Sequence, residues 1–300
     1  MEIDHYNGIG GSMASAVMGL NRYKTPYQAW LEYTDPASRP DLSVNEAVEW
    51  GTALEPVIAQ VAARRWGIEI EYQPQEIRHP RLHFMRAHVD ALVKGELAGM
   101  EVKNRGLMMR AKYGEASEDE DGDDTDNVLP DEAIQCQTYM ACTGYDTWYL
   151  PVLTGGQRLL RFKLKRDNAI IAKIEAACVE FWKHVESGTP PEPTTQEDAN
   201  RRWPQHAPGK VIELTPELDK LVKERRELKE RLKDGEVALD VCELQIKRAM
   251  QDAEEIRQGG KRILGWKTQT REHFDQKRFR EAYPDLVMPY IEEKKLRVLR

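Results

Sequence analysis

Apolar and polar positions divide this chain into segments of two different periods. Residues 43–66, SVNEAVEWGTALEPVIAQVAARRW, repeat at helical spacing, with Val44, Val48, Gly51, Ile58 and Ala62 on one face and Ser43 as the expected cap. Glu55 lies at the border of that stripe, and Pro56 directly after it predicts a kink. Upstream, GIGGSMASAVMGL predicts a glycine-led helix capped by Ser12, and Thr25-Pro26 opens a second helix. Residues 68–80 alternate as one strand. Ala87–Val93 and Met100–Lys103 also alternate, and Lys94-Gly95 with Gly99 supply the turn of a β-hairpin between them. A helix is expected over 131–143. Strands over 146–153 and 157–164 join through Thr154-Gly155-Gly156, and a helix over 167–187 closes the unit.

The pattern then changes. Gly188 to Pro193 is proline-rich, as a linker would be. Leu214, Leu218, Leu221, Leu228, Leu232, Leu239, Ile246 and Ala253 recur near a 3.5 spacing, with Glu, Lys and Arg between them. This predicts a long helix or coiled-coil arm over 214–257, with Asp234-Gly235 as a break. RILGWKTQTRE reads as a short strand pair, followed by basic helices. The expected organisation is an α/β domain at 1–187, a linker at 188–213, and a helical arm with a C-terminal extension at 214–300.

The net charge of −7 argues against a nucleic-acid binder only until its distribution is considered. Residues 115–126, EASEDEDGDDTD, hold eight acids and no base, and the rest of the chain is near neutral. That tract reads as a solvated, disordered insertion. The global charge therefore neither supports nor excludes DNA. No apolar run reaches the length of a membrane span, and MEIDHYNGIGG has no basic region or apolar stretch of a secretion signal. Four cysteines without a CxxC pair fit reduced thiols, so a cytoplasmic protein of a bacterial or phage-infected bacterial cell is expected.

The candidate chemistry lies in the predicted hairpin. Side chains alternate along a strand, so Glu101 and Lys103 share a face, and the hairpin brings Asp90 beside them. Two carboxylates, the Val102 carbonyl and open positions suit Mg²⁺, with Mn²⁺ as an alternative. Such a metal orients a water and stabilises charge on a phosphate in flight. The same D-x10-E-x-K string also describes a solvated strand edge with a surface ion pair. Glu55 is a further acid whose place on an apolar stripe is costly unless it is paired or binds metal. The glycine-led helix start, with Arg22 and Lys24 in the following link, makes a candidate phosphate site. An ordinary helical hairpin with solvated bases explains that text equally well.

The order GIGGSxxxxxxGL, NRYKTPYQAW, WGTALEP, HVDALV, MEVK and QCQTYM resembles the YqaJ-like viral recombinases. These are relatives of phage lambda exonuclease within the PD-(D/E)xK nuclease superfamily. The likeness spans residues 8 to about 185, and GWKTQTREHFDQKRFREAYPDL is similar to the tail of longer members. The resemblance implies an α/β fold: a restriction-endonuclease-like central mixed sheet flanked by helices, here with the helical extension added. It implies Asp90, Glu101, the Val102 carbonyl and Glu55 as metal ligands, and Lys103 beside the attacking water. It also implies Gln135 and Tyr139 as the QxxxY element, with Ser12 and Arg22 at the terminal phosphate. Ala91 and His88 depart from the family pattern, and the acidic tract is an addition to it. The implied activity is metal-dependent resection of the 5′ strand of linear double-stranded DNA, leaving a 3′ overhang for a single-strand annealing protein. A homo-oligomer, a ring-like trimer by the same resemblance, is implied too. Two alternatives stand beside it: an endonuclease of restriction or junction-cutting type, and a catalytically inactive DNA-binding protein.

Overall fold

A computed structural model describes residues 6–116, 122–292 and 297–299. The chain divides into two compact units, residues 1–203 and 204–300.

The first unit is built on a mixed sheet with helices on both faces, the α/β class expected. Its strands are β1 (Ile70–Tyr72), β4 (Ala91–Val93), β5 (Ala98–Met100), β6 (Lys103–Arg105), β7 (Thr147–Thr154) and β8 (Arg158–Lys165). β2 (Ile77–Arg78) and β3 (Arg86–Ala87) form a separate antiparallel pair. The single strand expected over 68–80 is thus two, because Gln73 turns to φ 48° and Pro74 follows it. β1 pairs antiparallel with β4, and Gln73 N–H donates to the Asp90 carbonyl at 2.8 Å.

The expected hairpin forms, with Ala91 opposite Met100 and Leu92 opposite Gly99. Gly99 is required there: a Cβ on it would lie 2.2 Å from the Trp148 ring. β5 and β6 then follow one another along the same edge of β7, both parallel to it. The ladder breaks between them at Glu101 and Val102, and the cause is local. Glu101 N–H donates to the Tyr149 carbonyl at 2.9 Å. A parallel ladder would return an N–H from two residues further along β7. That residue is Pro151, which has none.

α1 (Gly11–Val17), α2 (Pro26–Thr34), α4 (Pro130–Thr143) and α5 (Asn168–Ser187) contribute to one apolar core with Trp148, Leu150, Val152, Phe162 and Leu164. α3 (Glu46–Trp66) covers the other face through Ile58, Ala59, Ala62 and Ala63. Thr25 and Gln28 form a reciprocal capping box on α2. α3 is capped by Asn45 rather than Ser43, whose hydroxyl instead bonds Asp41 at 2.6 Å. Helix α3 runs through Pro56 without a break, and its first half leaves Val44 and Val48 exposed. α1 starts after Gly10 with no side-chain cap, so Ser12 lies inside the helix and does not cap it.

α6 (Gln196–Arg202) falls within the expected linker yet belongs to this first unit. Its Asp198 is fully buried and accepts from the Thr25 hydroxyl at 3.0 Å. Part of the acidic tract is also ordered. Asp124 is buried, donates N–H to the Lys163 carbonyl and accepts from Lys163 N–H, both at 2.9 Å. Residues 117–121 of that tract lie outside the described residues.

The second unit holds α7 (Pro216–Met250), a hairpin of β9 (Glu255–Gln258) and β10 (Lys261–Gly265), and the short helices α8 (Gln276–Ala282) and α9 (Pro284–Val287). α7 continues through Asp234-Gly235. Its helical hydrogen bonds carry the glycine at a cost of about 1 kcal/mol relative to alanine. The strand pair lies earlier than expected, turning at Gly259-Gly260, where φ is 56° and 81°.

Candidate functional site

Where the ladder breaks, side chains from both sides of the sheet meet. Glu101 and Lys103 project together toward α4, as their spacing requires. Lys103 Nζ donates to Glu101 Oε1 and, at 2.9 Å, to Gln135 Oε1. Gln135 Nε2 donates to Glu101 Oε1 at 2.7 Å and reaches the Tyr139 hydroxyl at 2.8 Å. Asp90, directly before β4, accepts from Val102 N–H through Oδ2 at 2.6 Å. Glu55 projects from α3 and accepts from the Tyr72 hydroxyl at 2.9 Å.

Helix packing fixes α4 at this point. A Cβ on Gly11 would lie 2.7 Å from the Tyr139 ring and 2.9 Å from the Gln135 side chain. Only glycine lets α1 approach the QxxxY residues so closely.

The electrostatics are those of crowded acids out of water. Burial, then the neighbouring Glu101 and Glu55 carboxylates, pushes Asp90 well above the usual carboxylate range. Burial also raises Glu101, against the lowering pull of Lys103. Burial opposes the charge on Lys103, but Glu101 and Asp90 outweigh it and hold the ammonium above the ordinary lysine value.

Among the described residues no three His, Cys, Asp or Glu side chains form a ready metal cage. The test of fit is therefore the donor set itself. Glu101 Oε2 is buried without a hydrogen-bond partner among the described residues, a costly state for a carboxylate oxygen. Asp90 lies beside it with the like charge. A hard divalent cation is the group that satisfies both, and it keeps most of its shell from water and main chain. The residues fit Mg²⁺ or Mn²⁺.

A second buried network lies one turn back along α4. Glu132 accepts from Arg105 at 2.7 Å and from the Tyr113 hydroxyl at 2.9 Å. Arg22 grips Asp131 through two bonds of 2.6 and 3.0 Å and reaches Glu132 at 3.5 Å. Of the sequence candidates, Asp90, Glu101, Val102, Lys103, Gln135 and Tyr139 are therefore joined by hydrogen bonds. Glu55 adds its charge to theirs, and Arg22 is held at the adjoining network. Among the described residues the Ser12 side chain takes no part in either network. Sequence reasoning missed Tyr72, Arg105, Tyr113 and Glu132. Arg105 carried a signal, since it continues the alternation of Glu101 and Lys103.

The YqaJ-like viral recombinase domain matches residues 3–146. The uncharacterized protein YqaJ of Bacillus subtilis (strain 168) is 30% identical over 292 residues, covering 95% of this chain and 88% of that protein. The chain belongs to the YqaJ-like family. Similar solved structures include an alkaline exonuclease from Laribacter hongkongensis, at 22% identity and TM-score 0.48, covering 66% of this chain and 93% of that one. A phage-related exonuclease from Haemophilus somnus 129PT is similar at 15% identity and TM-score 0.46, with 60% and 96% covered. Among the described residues no helix is long and apolar enough to cross a membrane.

Proposed function

We propose that this YqaJ-like chain is a metal-dependent nuclease that resects the 5′ strand of linear double-stranded DNA. One observation carries the reading: Glu101, Lys103 and Gln135 form a hydrogen-bonded triangle beside Asp90, and Glu101 Oε2 is left unpartnered among the described residues. Asp90, Glu101 and the Val102 carbonyl are the groups that would hold Mg²⁺ or Mn²⁺, with Glu55 completing the set. The bound ion supplies Lewis-acid stabilisation of the phosphate and a more acidic water.

The chain's own groups do the rest. Lys103 orients the attacking water and offsets charge that builds on the phosphate oxygens. Gln135 holds both Lys103 and Glu101, so the ammonium cannot swing away between turnovers. Tyr139 fixes the amide of Gln135. Arg22 and Ser12 are proposed to meet the terminal 5′ phosphate. The Nη1 of Arg22, unpartnered among the described residues, supports that role for the arginine. The Ser12 hydroxyl, outside both networks, is open to the same contact. A 3′ overhang is a substrate for a single-strand annealing protein, the partner class this reading implies.

Duplex DNA labelled at either end, digested over time with and without Mg²⁺, tests the proposal. Loss of the 5′-strand label first, only with metal, and an intact covalently closed circle are expected. Nicking of the closed circle would replace the reading with an endonuclease. Binding without cleavage in either metal would leave an inactive DNA-binding protein.

A further inference from the structure

The second unit contains a surface that its own chain leaves open. α7 is 35 residues long, about 50 Å at 1.5 Å per residue. Its apolar seam keeps strict alternation of three and four residues. One set of core positions is Leu218, Arg225, Leu232, Leu239 and Ile246; the other is Leu221, Leu228, Gly235, Cys242 and Ala249. The seam faces water: Leu221 is 60% exposed and Leu232 68%. A five-heptad apolar seam in solvent needs a covering surface.

The flanking charges say which surface. In a parallel, in-register pair, each flanking position meets the position five residues on in the partner. Glu224 then meets Lys229 of the second copy, and Arg231 meets Glu236, both attractive and both repeated by symmetry. The other flanking pairs, Glu217 with Val222, Ala238 with Glu243 and Gln245 with Met250, set no like charges opposite each other. Glu224, Lys229, Arg231 and Glu236 make no ion pair among the described residues, so each is available. An antiparallel pair centred between Leu228 and Leu232 would instead set Arg231 against Arg231 and Lys229 against Lys229. Two strands are favoured over three at this seam. Gly235, Cys242 and Ala249 make a thin core, and an arginine at position 225 reaches water more easily from a two-stranded core.

We propose that α7 is a dimerisation arm that pairs in parallel and in register with α7 of a second copy of this chain. The inference stands apart from the nuclease reading and is tested without it. Cys242 is exposed, whereas Cys136, Cys142 and Cys178 are buried, so it is the reactive thiol. In a parallel pair the two Cys242 residues face each other across the core. In the antiparallel pair just described they lie about 36 Å apart, roughly twelve residues to each side of the centre at 1.5 Å each.

The full chain is weighed by sedimentation equilibrium at micromolar concentration and, separately, oxidised with diamide and run without reductant. A dimer mass and a linked dimer that disappears in Cys242→Ser support the proposal. Arg231→Glu should weaken the dimer at least tenfold by setting two carboxylates opposite each other at the Glu236 contact, and adding Glu236→Arg should restore it. These positions are exposed in the single chain, and the circular dichroism of each variant should match the wild type at equal dimer content. A monomer overturns the proposal. A dimer that forms no Cys242 link, or that ignores both charge reversals, overturns it equally by placing the interface elsewhere or running it antiparallel. A trimer mass, with or without the link, overturns the two-stranded assignment.

Discussion

Residues at the site conflict with stability, and the conflict predicts how their variants behave. Asp90 is pushed toward protonation by burial and by Glu101 and Glu55. Asp90→Asn removes that repulsion, and the amide oxygen still accepts from Val102 N–H. The metal-free variant should therefore melt higher than the wild type by about 2–4 °C, for a gain on the order of 1 kcal/mol. The same variant should lose Mg²⁺ binding by calorimetry and lose cleavage. A lower melting temperature without metal would show that Asp90 serves the fold rather than the ion. Lys103 poses the opposite case, because its ammonium is bound by Glu101 and Gln135 and its proposed work is in the transition state. Lys103→Ala should lower single-turnover cleavage by roughly 10²–10⁴-fold, the usual size of a lost acid–base or charge-stabilising group. DNA affinity in Ca²⁺ should change little. Equal losses in affinity and rate would assign Lys103 to substrate binding instead.

At the scale of elements, the site depends on packing as much as on chemistry. α1 reaches α4 only because Gly11 has no side chain, and the atoms a Cβ would meet belong to Tyr139 and Gln135. Gly11→Ala should destabilise the fold by about 1–3 kcal/mol, the range for overpacking a tight contact. It should also lower turnover more than Kd, since the displaced residue is the one that holds Lys103. Glu132 makes a parallel case in the buried network. Glu132→Ala strands Arg105 and Tyr113 in the interior, so a loss of about 3–5 kcal/mol in denaturant unfolding is expected. A loss below about 1 kcal/mol would mean that water already reaches the network. The sequence patterns showed which elements exist, since α4, β7, β8 and α5 carry unambiguous periods and turn residues. They also brought Glu101, Lys103 and Asp90 together, because strand alternation and a hairpin suffice for that. They did not show the break at Glu101 and Val102, which depends on Pro151 in a strand paired across long range. Nor did they show Glu132 or Tyr72, whose partners lie on other elements. The displaced C-terminal hairpin has a simpler reason: Gly259-Gly260 is a stronger turn signal than Gly265, and the strands follow it.

At the scale of the whole molecule, the two units differ in how they could be stable. Both apolar cores lie within residues 6–203. Among the described residues of 204–300, Met250 is the single buried apolar side chain. A segment that buries so little cannot offset the conformational entropy of ordering it, about 1–2 kcal/mol per residue for the backbone alone. Its helix must gain stability from a partner or remain marginal, as long helices with exposed seams do. A chain ending at Trp203 retains Glu55, Asp90, Glu101, Lys103 and Gln135 with all their hydrogen-bond partners, including Tyr72 and Tyr139. It should fold cooperatively and cut duplex DNA with the metal dependence of the full protein. The converse fragment, residues 204–300, should show helical circular dichroism that rises with concentration from the low micromolar range upward, because its order comes from association. Helicity independent of concentration would mean that the segment stabilises itself. A Trp203 truncation that unfolds would mean instead that the boundary between the units is misplaced and that the arm supports the catalytic sheet.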